Sequence, residues 1–150
     1  MTQPSPLKLF SVIIPARDEE ESLPSTLGDI HAAFTAAGIP HELVVVDDGS
    51  RDRTAELLAE YARSMPIEVI RHRINRGLGE TSRDLFERAA EICAPQDVIV
   101  RMDCDDTHEP EFIGRMIAKL AEGYDVVIAS RFQPGGGEQG VNAYRSFISW

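Results

Sequence analysis

Asp103 and Asp105 stand one residue apart where an apolar run, VIVRM, gives way to DCDD. In an extended segment residues i and i+2 point the same way. Two carboxylates so placed can grip one hard divalent cation, Mg2+ or Mn2+, and leave positions open for phosphate oxygens and water. A cation held there would neutralise a diphosphate as it leaves. An Asp-x-Asp pair is common, however, and the competing reading is an acidic turn that caps the next helix, a task suited to Asp106 or Thr107.

Other residues invite chemistry more weakly. Asp47 and Asp48 close a second apolar run, where a carboxylate can accept hydrogen bonds from ribose hydroxyls or a base edge. The rival is a phosphoacceptor pocket of the receiver-domain kind, which would need a lysine where this chain has Arg131. Asp52 reads as a helix cap near Thr54. Arg131 and Arg145 are candidate anion clamps. Arg145 and Ser149 are four apart, so a helix would place guanidinium and hydroxyl on one face, a good phosphate pair; the plain alternative is a surface arginine. Gly77-Leu78-Gly79 is not a dinucleotide fingerprint, because Ser82 stands at the third glycine position and the segment follows the third apolar run. Its glycines are expected to let backbone approach a ligand or pack helix on strand. His108 reads as a structural hydrogen-bonder, and His31, His41 and His72 show no partner pattern.

These residues need a scaffold, and the apolar pattern supplies one. Five short runs rich in Val and Ile occur at Phe10–Ile14, Leu43–Val46, Ile67–Ile70, Val98–Met102 and Val126–Ala129. Continuous runs of this kind read as strands buried on both faces. Helical stripes fill the gaps: Leu23, Leu27, Ile30 and Phe34, ended by Gly38 and Pro40; Thr54, Leu57, Leu58 and Tyr61; Leu78, Leu85, Ala89 and Ile92; and Phe112, Ile113, Met116, Ile117 and Leu120. Strand–helix alternation predicts an α/β domain, a mostly parallel sheet with right-handed crossovers and helices on both faces. Residues 1–9 read as a tail and 10–150 as one domain. Residues 134–140, PGGGEQG, read as a loop, and the helical pattern that begins at Val141 is cut at Trp150, so the domain is expected to be incomplete at its C-terminus.

Ligands bind at the carboxyl ends of parallel strands. Every predicted strand runs into a polar cluster there: Pro15 to Glu19, Asp47 to Ser50, Asn75 to Gly79, Asp103 to Asp106, and Ser130 to Phe132. Each alone is a solvated loop with helix caps; five together make one cleft. The bulk composition agrees with a phosphate-handling site that relies on a metal or a few focused arginines. Fifteen Lys and Arg face 25 Asp and Glu, a formal charge of −10 that would repel a nucleic-acid backbone. Cys93 and Cys104 form no CxxC pair, which fits a reducing compartment. No stretch is apolar for the ~18 residues of a membrane span and MTQPSPLKLF holds no signal-peptide run, so the chain is expected in the cytoplasm, on the cytoplasmic face of any membrane at which it acts.

The pieces SVIIPARDEEESL, ELVVVDDGSRDRT, NRGLGE, VRMDCDDTHEPEFI and VIASRF, followed by Arg145 and Ser149, occur in that order across residues 10–149. Together they resemble the family 2 glycosyltransferases of GT-A fold, and among these the dolichol-phosphate mannosyltransferases and bacterial polyprenyl-phosphate glycosyltransferases. The resemblance implies an inverting, metal-dependent transfer of a hexose from a nucleotide-diphosphate sugar of the GDP-mannose or UDP-glucose type to a polyprenyl phosphate. An acceptor phosphate is already ionised, so no general base is implied. By the same resemblance Pro15, Arg17, Glu19, Val46 and Asp48 line the nucleotide pocket. Asp103, Cys104 and Asp105 occupy the family's Asp-Ala-Asp position, with Thr107 beside the metal. Arg131, Arg145 and Ser149 hold the acceptor phosphate, and Asp103, Asp105 and Arg131 form the catalytic set. Three residues depart from the pattern: Arg17 replaces a tyrosine, Asp18 an asparagine and Thr107 a glutamine. Two alternatives stand beside this reading, a family 2 enzyme acting on a saccharide or other hydroxyl and a non-catalytic nucleotide-sugar-binding module.

Overall fold

The computed structural model describes residues 10–105, 112–130 and 133. The chain divides into two units, Met1–Pro110 and Glu111–Trp150. The first unit runs β1 (Phe10–Ala16), α1 (Leu23–Ala36), β2 (His41–Asp47), α2 (Thr54–Tyr61), β3 (Ile67–Arg71), α3 (Leu78–Ile92) and β4 (Val98–Arg101). The second contains α4 (Ile113–Ala121).

The described strands form one parallel sheet in the order β3-β2-β1-β4. From β1 the chain steps to β2 and β3 on one side, then returns across the sheet to place β4 on the other side of β1. Right-handed crossovers therefore put α1 and α2 on one face and α3 on the opposite face. The side chains agree. Leu85 and Ala89 of α3 bury against Ile13, Val44 and Val46, with Ile70 and Ile92 at the margin. The alternate positions Val12, Ile14, Leu43 and Val45 point the other way. They are fully buried, as are Leu23, Leu27 and Ile30 of α1 and Leu58 of α2.

The point where strand order reverses, between β1 and β4, is where a ligand crevice forms in an open α/β sheet. Register sets its details. Arg101 pairs with Ile13, and the Met102 N–H donates to the Ile13 carbonyl at 3.1 Å. Pro15 has no N–H with which to continue that ladder, which ends there. Asp103 to Asp105 are thereby released alongside the end of β1.

Expectation and structure part at several places. Residues 126–129 form no strand, and Val126 and Ile128 are exposed. A continuous apolar run specifies burial, but a strand exists only through a paired neighbour, and none of the described residues supplies one. β3 and β4 are not buried on both faces, with Val69 and Ile99 exposed, since each lies at a sheet edge among the described residues. Leu78 also leaves the predicted stripe: it opens α3 and is exposed, while Thr81 takes the buried position one turn later. The second and fourth stripes bury less than predicted, with Leu57 half-buried and only Ile113 of α4 buried. Gly38 does end α1, with a φ of +65° that suits glycine.

Candidate functional site

Two loops at the carboxyl edge are stitched together before any site is formed. Asp18 adopts φ +54°, a left-handed conformation that Asn and Asp tolerate best among side chains with a Cβ. In that pose its N–H donates to Ser50 Oγ at 3.0 Å and its carboxylate accepts the Arg51 N–H at 2.7 Å. The Glu19 N–H donates to Thr54 Oγ1 at 2.8 Å, and Glu20 accepts the Arg53 N–H at 2.9 Å. Asp52 does support the start of α2, accepting the Thr54 N–H, but it also accepts the Glu20 N–H, each at 3.0 Å. Burial alone would raise the Asp52 carboxyl; the bonds from Thr54 and Glu20 outweigh it and hold it below the usual range. The clasp extends to the acidic segment, where Ser22 Oγ lies 2.7 Å from the Cys104 carbonyl oxygen and 2.5 Å from Glu19 Oε2.

A third loop, between β3 and α3, is built on the end of β2. The His72 N–H donates to the Asp47 carbonyl at 2.9 Å. Asp48, only 4% exposed, receives three bonds: Oδ1 from the Arg76 N–H at 2.8 Å and from His72 Nδ1 at 2.7 Å, and Oδ2 from the Gly77 N–H at 2.9 Å. Burial pushes this carboxyl up, yet the Arg76, His72 and Gly77 donors win and hold it below the ordinary aspartate range. Gly49 completes the fit. It has φ +72°, and a Cβ there would lie 2.7 Å from the Ile74 carbonyl carbon and 2.8 Å from the Asn75 nitrogen.

Between these loops opens a cleft of about 320 Å3, lined by the ends of β1 and β2, by Asn75, Gly77, Leu78 and Thr81, and by the acidic segment after β4. Pro15, Arg17, Glu19, Asp48, Asp103, Cys104 and Asp105, seven residues singled out from sequence, all reach this lining. Val46 does not: its side chain is fully buried in the core against α3. Asp47 lies beneath the surface, with Oδ1 accepting the Ser50 N–H and Oδ2 3.3 Å from Arg71 Nε. Gly77 borders open space at φ +88°, and Gly79 also meets nothing, so neither glycine packs helix on strand. Thr107, Arg131, Arg145 and Ser149, with Asp106 and His108, lie outside the described residues.

The charge of the lining is lopsided. Glu19, Asp48, Asp103 and Asp105 contribute four carboxylates, and Arg17 is its only cationic residue among those described. Arg101 moderates this from below, with a terminal nitrogen 2.7 Å from Asp103 Oδ1. Among the described residues no three His, Cys, Asp or Glu side chains gather as a metal cage. Mg2+-type binding takes one or two carboxylates, with water and ligand phosphates completing the shell. Asp103 and Asp105, hard oxygen donors on one cleft wall, fit such an ion.

Sequence reasoning passed over the histidines. His72 is buried between Asp48 and Asp84, and His31 Nδ1 lies 2.9 Å from His41 Nε2 beside a stacked Phe34. No local spacing announces either arrangement, since the partners of His72 come from separate elements 12 and 24 residues away.

Comparison with known proteins places the fold. The family model described as glycosyl transferase family 2 matches residues 11–147. The chain is 40% identical over 127 residues to an undecaprenyl-phosphate 4-deoxy-4-formamido-L-arabinose transferase of Pseudomonas paraeruginosa, covering 83% of this chain and 36% of that protein. It is 38% identical over 139 residues to a dolichol-phosphate mannosyltransferase of Pyrococcus furiosus, covering 93% of this chain and 38% of that one. The chain thus spans well under half the length of these relatives. Among solved structures, S. aureus TarS 1-349 in complex with UDP-GlcNAc superposes with a TM-score of 0.60 at 22% identity, over 83% of this chain and 38% of that one. The architecture is that of the GT-A glycosyltransferases, and the chain belongs to glycosyltransferase family 2.

Proposed function

We propose that this chain is the donor-binding part of a glycosyltransferase that moves a hexose from a nucleotide-diphosphate sugar to a polyprenyl phosphate. The observation that carries the reading is the cleft at the β1–β4 switch point, with the carboxylates of Glu19, Asp103 and Asp105 beside one guanidinium, Arg17, and Asp48 turned inward. Such a pocket rejects a bare diphosphate by like-charge repulsion and accepts one that arrives with a divalent cation. Asp103 and Asp105 would hold Mg2+ or Mn2+, which when bound supplies neutralising charge to the leaving diphosphate.

The remaining roles belong to protein groups. Arg17 offers a flat cation at the mouth, where a base can stack on it. Pro15 and Glu19 form the wall beside it, and Asp48 shapes the opposite wall. Arg131, Arg145 and Ser149 are assigned to the acceptor phosphate, with Arg131 offsetting its charge as it attacks the anomeric carbon and inverts it. An ionised phosphate is its own nucleophile, which suits a cleft whose described lining holds no histidine. The polyprenyl acceptor is favoured by the names of the two relatives at 40% and 38% identity, both transferases to a lipid phosphate. It would place the protein at a membrane surface; no helix among the described residues is long and apolar enough to cross one.

Calorimetric titration of UDP and GDP, with and without Mn2+, tests the reading. Cation-dependent binding that Asp105→Ala reduces by about a hundredfold, at unchanged circular dichroism, is the expected result; the scale is that of a lost metal ligand, a few kcal/mol. Nucleotide affinity indifferent both to Mn2+ and to Asp105→Ala would refute it.

A further inference from the structure

Charged groups from three directions close on one imidazole at the turn between β3 and α3. His72 is 7% exposed. Its Nδ1 lies 2.7 Å from Asp48 Oδ1, at the end of β2, and its Nε2 lies 2.8 Å from Asp84 Oδ2, on α3. Arg76 joins from the loop itself, donating to the same Asp84 oxygen at 2.7 Å and to Glu80 of α3 at 3.0 Å. The Arg76 guanidinium also lies 3.4 Å from His72 Nε2, so cation and carboxylate share that side of the ring. The other bonds of Asp48 go to the N–H groups of Arg76 and Gly77, and Gly77 lines the cleft between Asn75 and Leu78. The loop is also pressed against Gly49, where even a methyl group would collide with the backbone of Ile74 and Asn75. The imidazole is not itself part of the cleft lining and is joined to it through Asp48.

We propose that His72 is a positioning residue for the donor: its ring, bonded at one nitrogen to Asp48 and at the other to Asp84, holds the Asn75–Leu78 wall in the shape that receives the nucleotide diphosphate. The inference rests on the donor-binding reading above. Without the Nδ1 bond Asp48 loses one of its three partners, and the Arg76 and Gly77 N–H groups face an acceptor that is no longer fixed. Wall order and nucleotide affinity both fall when that bond is removed, and both return with a side chain that restores it.

The test compares two signals in the whole chain, in His72→Gln, whose amide reaches the Nε2 position but not Asp48, and in His72→Asn, whose amide stands at the Nδ1 position and can still donate to Asp48. They are hydrogen-exchange protection of the Arg76 and Gly77 amides and Mn2+-dependent affinity for UDP and GDP. In His72→Gln both are expected to fall together by about tenfold, the scale of one charge-assisted hydrogen bond, and in His72→Asn most of that loss is expected to return. The Leu43 amide, bonded to the Pro66 carbonyl away from this network, is expected to keep its protection in all three proteins, which separates a local effect from general destabilisation. Wild-type protection and affinity in His72→Gln, or equal losses in His72→Gln and His72→Asn, overturn the proposal. Protection that falls in His72→Gln in a protein that binds neither nucleotide refutes the donor reading, while the hold of His72 on the wall stands.

Discussion

Asp48 looks from sequence like a ligand-facing acid, yet three of its hydrogen bonds turn inward to a loop. Because those donors hold its carboxyl below the ordinary range, its contribution to stability is present above the unfolded-state value of about 4 and is lost as pH falls through the lower folded value. Asp48→Asn is therefore expected to be less stable than wild type at neutral pH, with the gap closing in acid. Urea melts between pH 7 and pH 2 measure it, and a gap that stays constant over the range contradicts the assignment. Gly49 presents a second residue-scale demand. Alanine there faces both a positive φ and backbone atoms under 3 Å away. Gly49→Ala is expected to cost roughly 1–3 kcal/mol, read from denaturant midpoints. A neutral result would mean that the Ile74–Asn75 backbone can yield.

At the scale of elements, the cleft owes its shape to loops held by other loops rather than by the strands they follow. Asp52 shows the economy of this. One carboxylate accepts an N–H from α2's first residue and another from the β1–α1 loop. Asp52→Ala is expected to destabilise by about 1–2 kcal/mol, the worth of a lost cap and a loop bond. It is also expected to weaken Mn2+-dependent nucleotide binding, because the loop that carries Arg17 and Glu19 loses its tie at Glu20. Equal stability loss with unaltered binding in calorimetry would show that the clasp supports only the fold. The four main strands and first three helices follow from pattern because each stripe or run is satisfied by the nearest crossover. Val126–Ala129 is the counterexample, an apolar run without a pairing neighbour among the described residues.

For the molecule as a whole, negative charge collects at more than the cleft. Glu42 near the amino-terminal edge of the sheet is pushed up by burial first, then by Glu68, against a lowering contribution from Ser11. One of its oxygens is buried without a hydrogen-bond partner. A carboxyl raised in the folded state stabilises below its unfolded value and loses that advantage as pH rises through the folded one. Glu42→Gln is accordingly expected to raise the melting temperature near neutral pH and to give no gain at pH 4. An unchanged or lowered melting temperature at pH 7 would contradict this sign. With a formal charge of −10, the removal of one poorly solvated carboxylate also eases general self-repulsion.

The α/β class, the position of β1 to β4 and the gathering of Pro15, Arg17, Glu19, Asp48, Asp103 and Asp105 at one edge were all legible in the chain. Apolar period sets which segments become strands or helices, and parallel crossovers send every strand's carboxyl end the same way. Tertiary structure alone decided which polar residues face the cleft and which serve behind it. Val46 went to the core, Asp48 turned toward a loop, and His72 acquired two carboxylates from distant elements. The physical reason is that hydrophobic periodicity is a local property of the chain, whereas a buried polar atom takes whichever partner the finished packing brings within 3 Å.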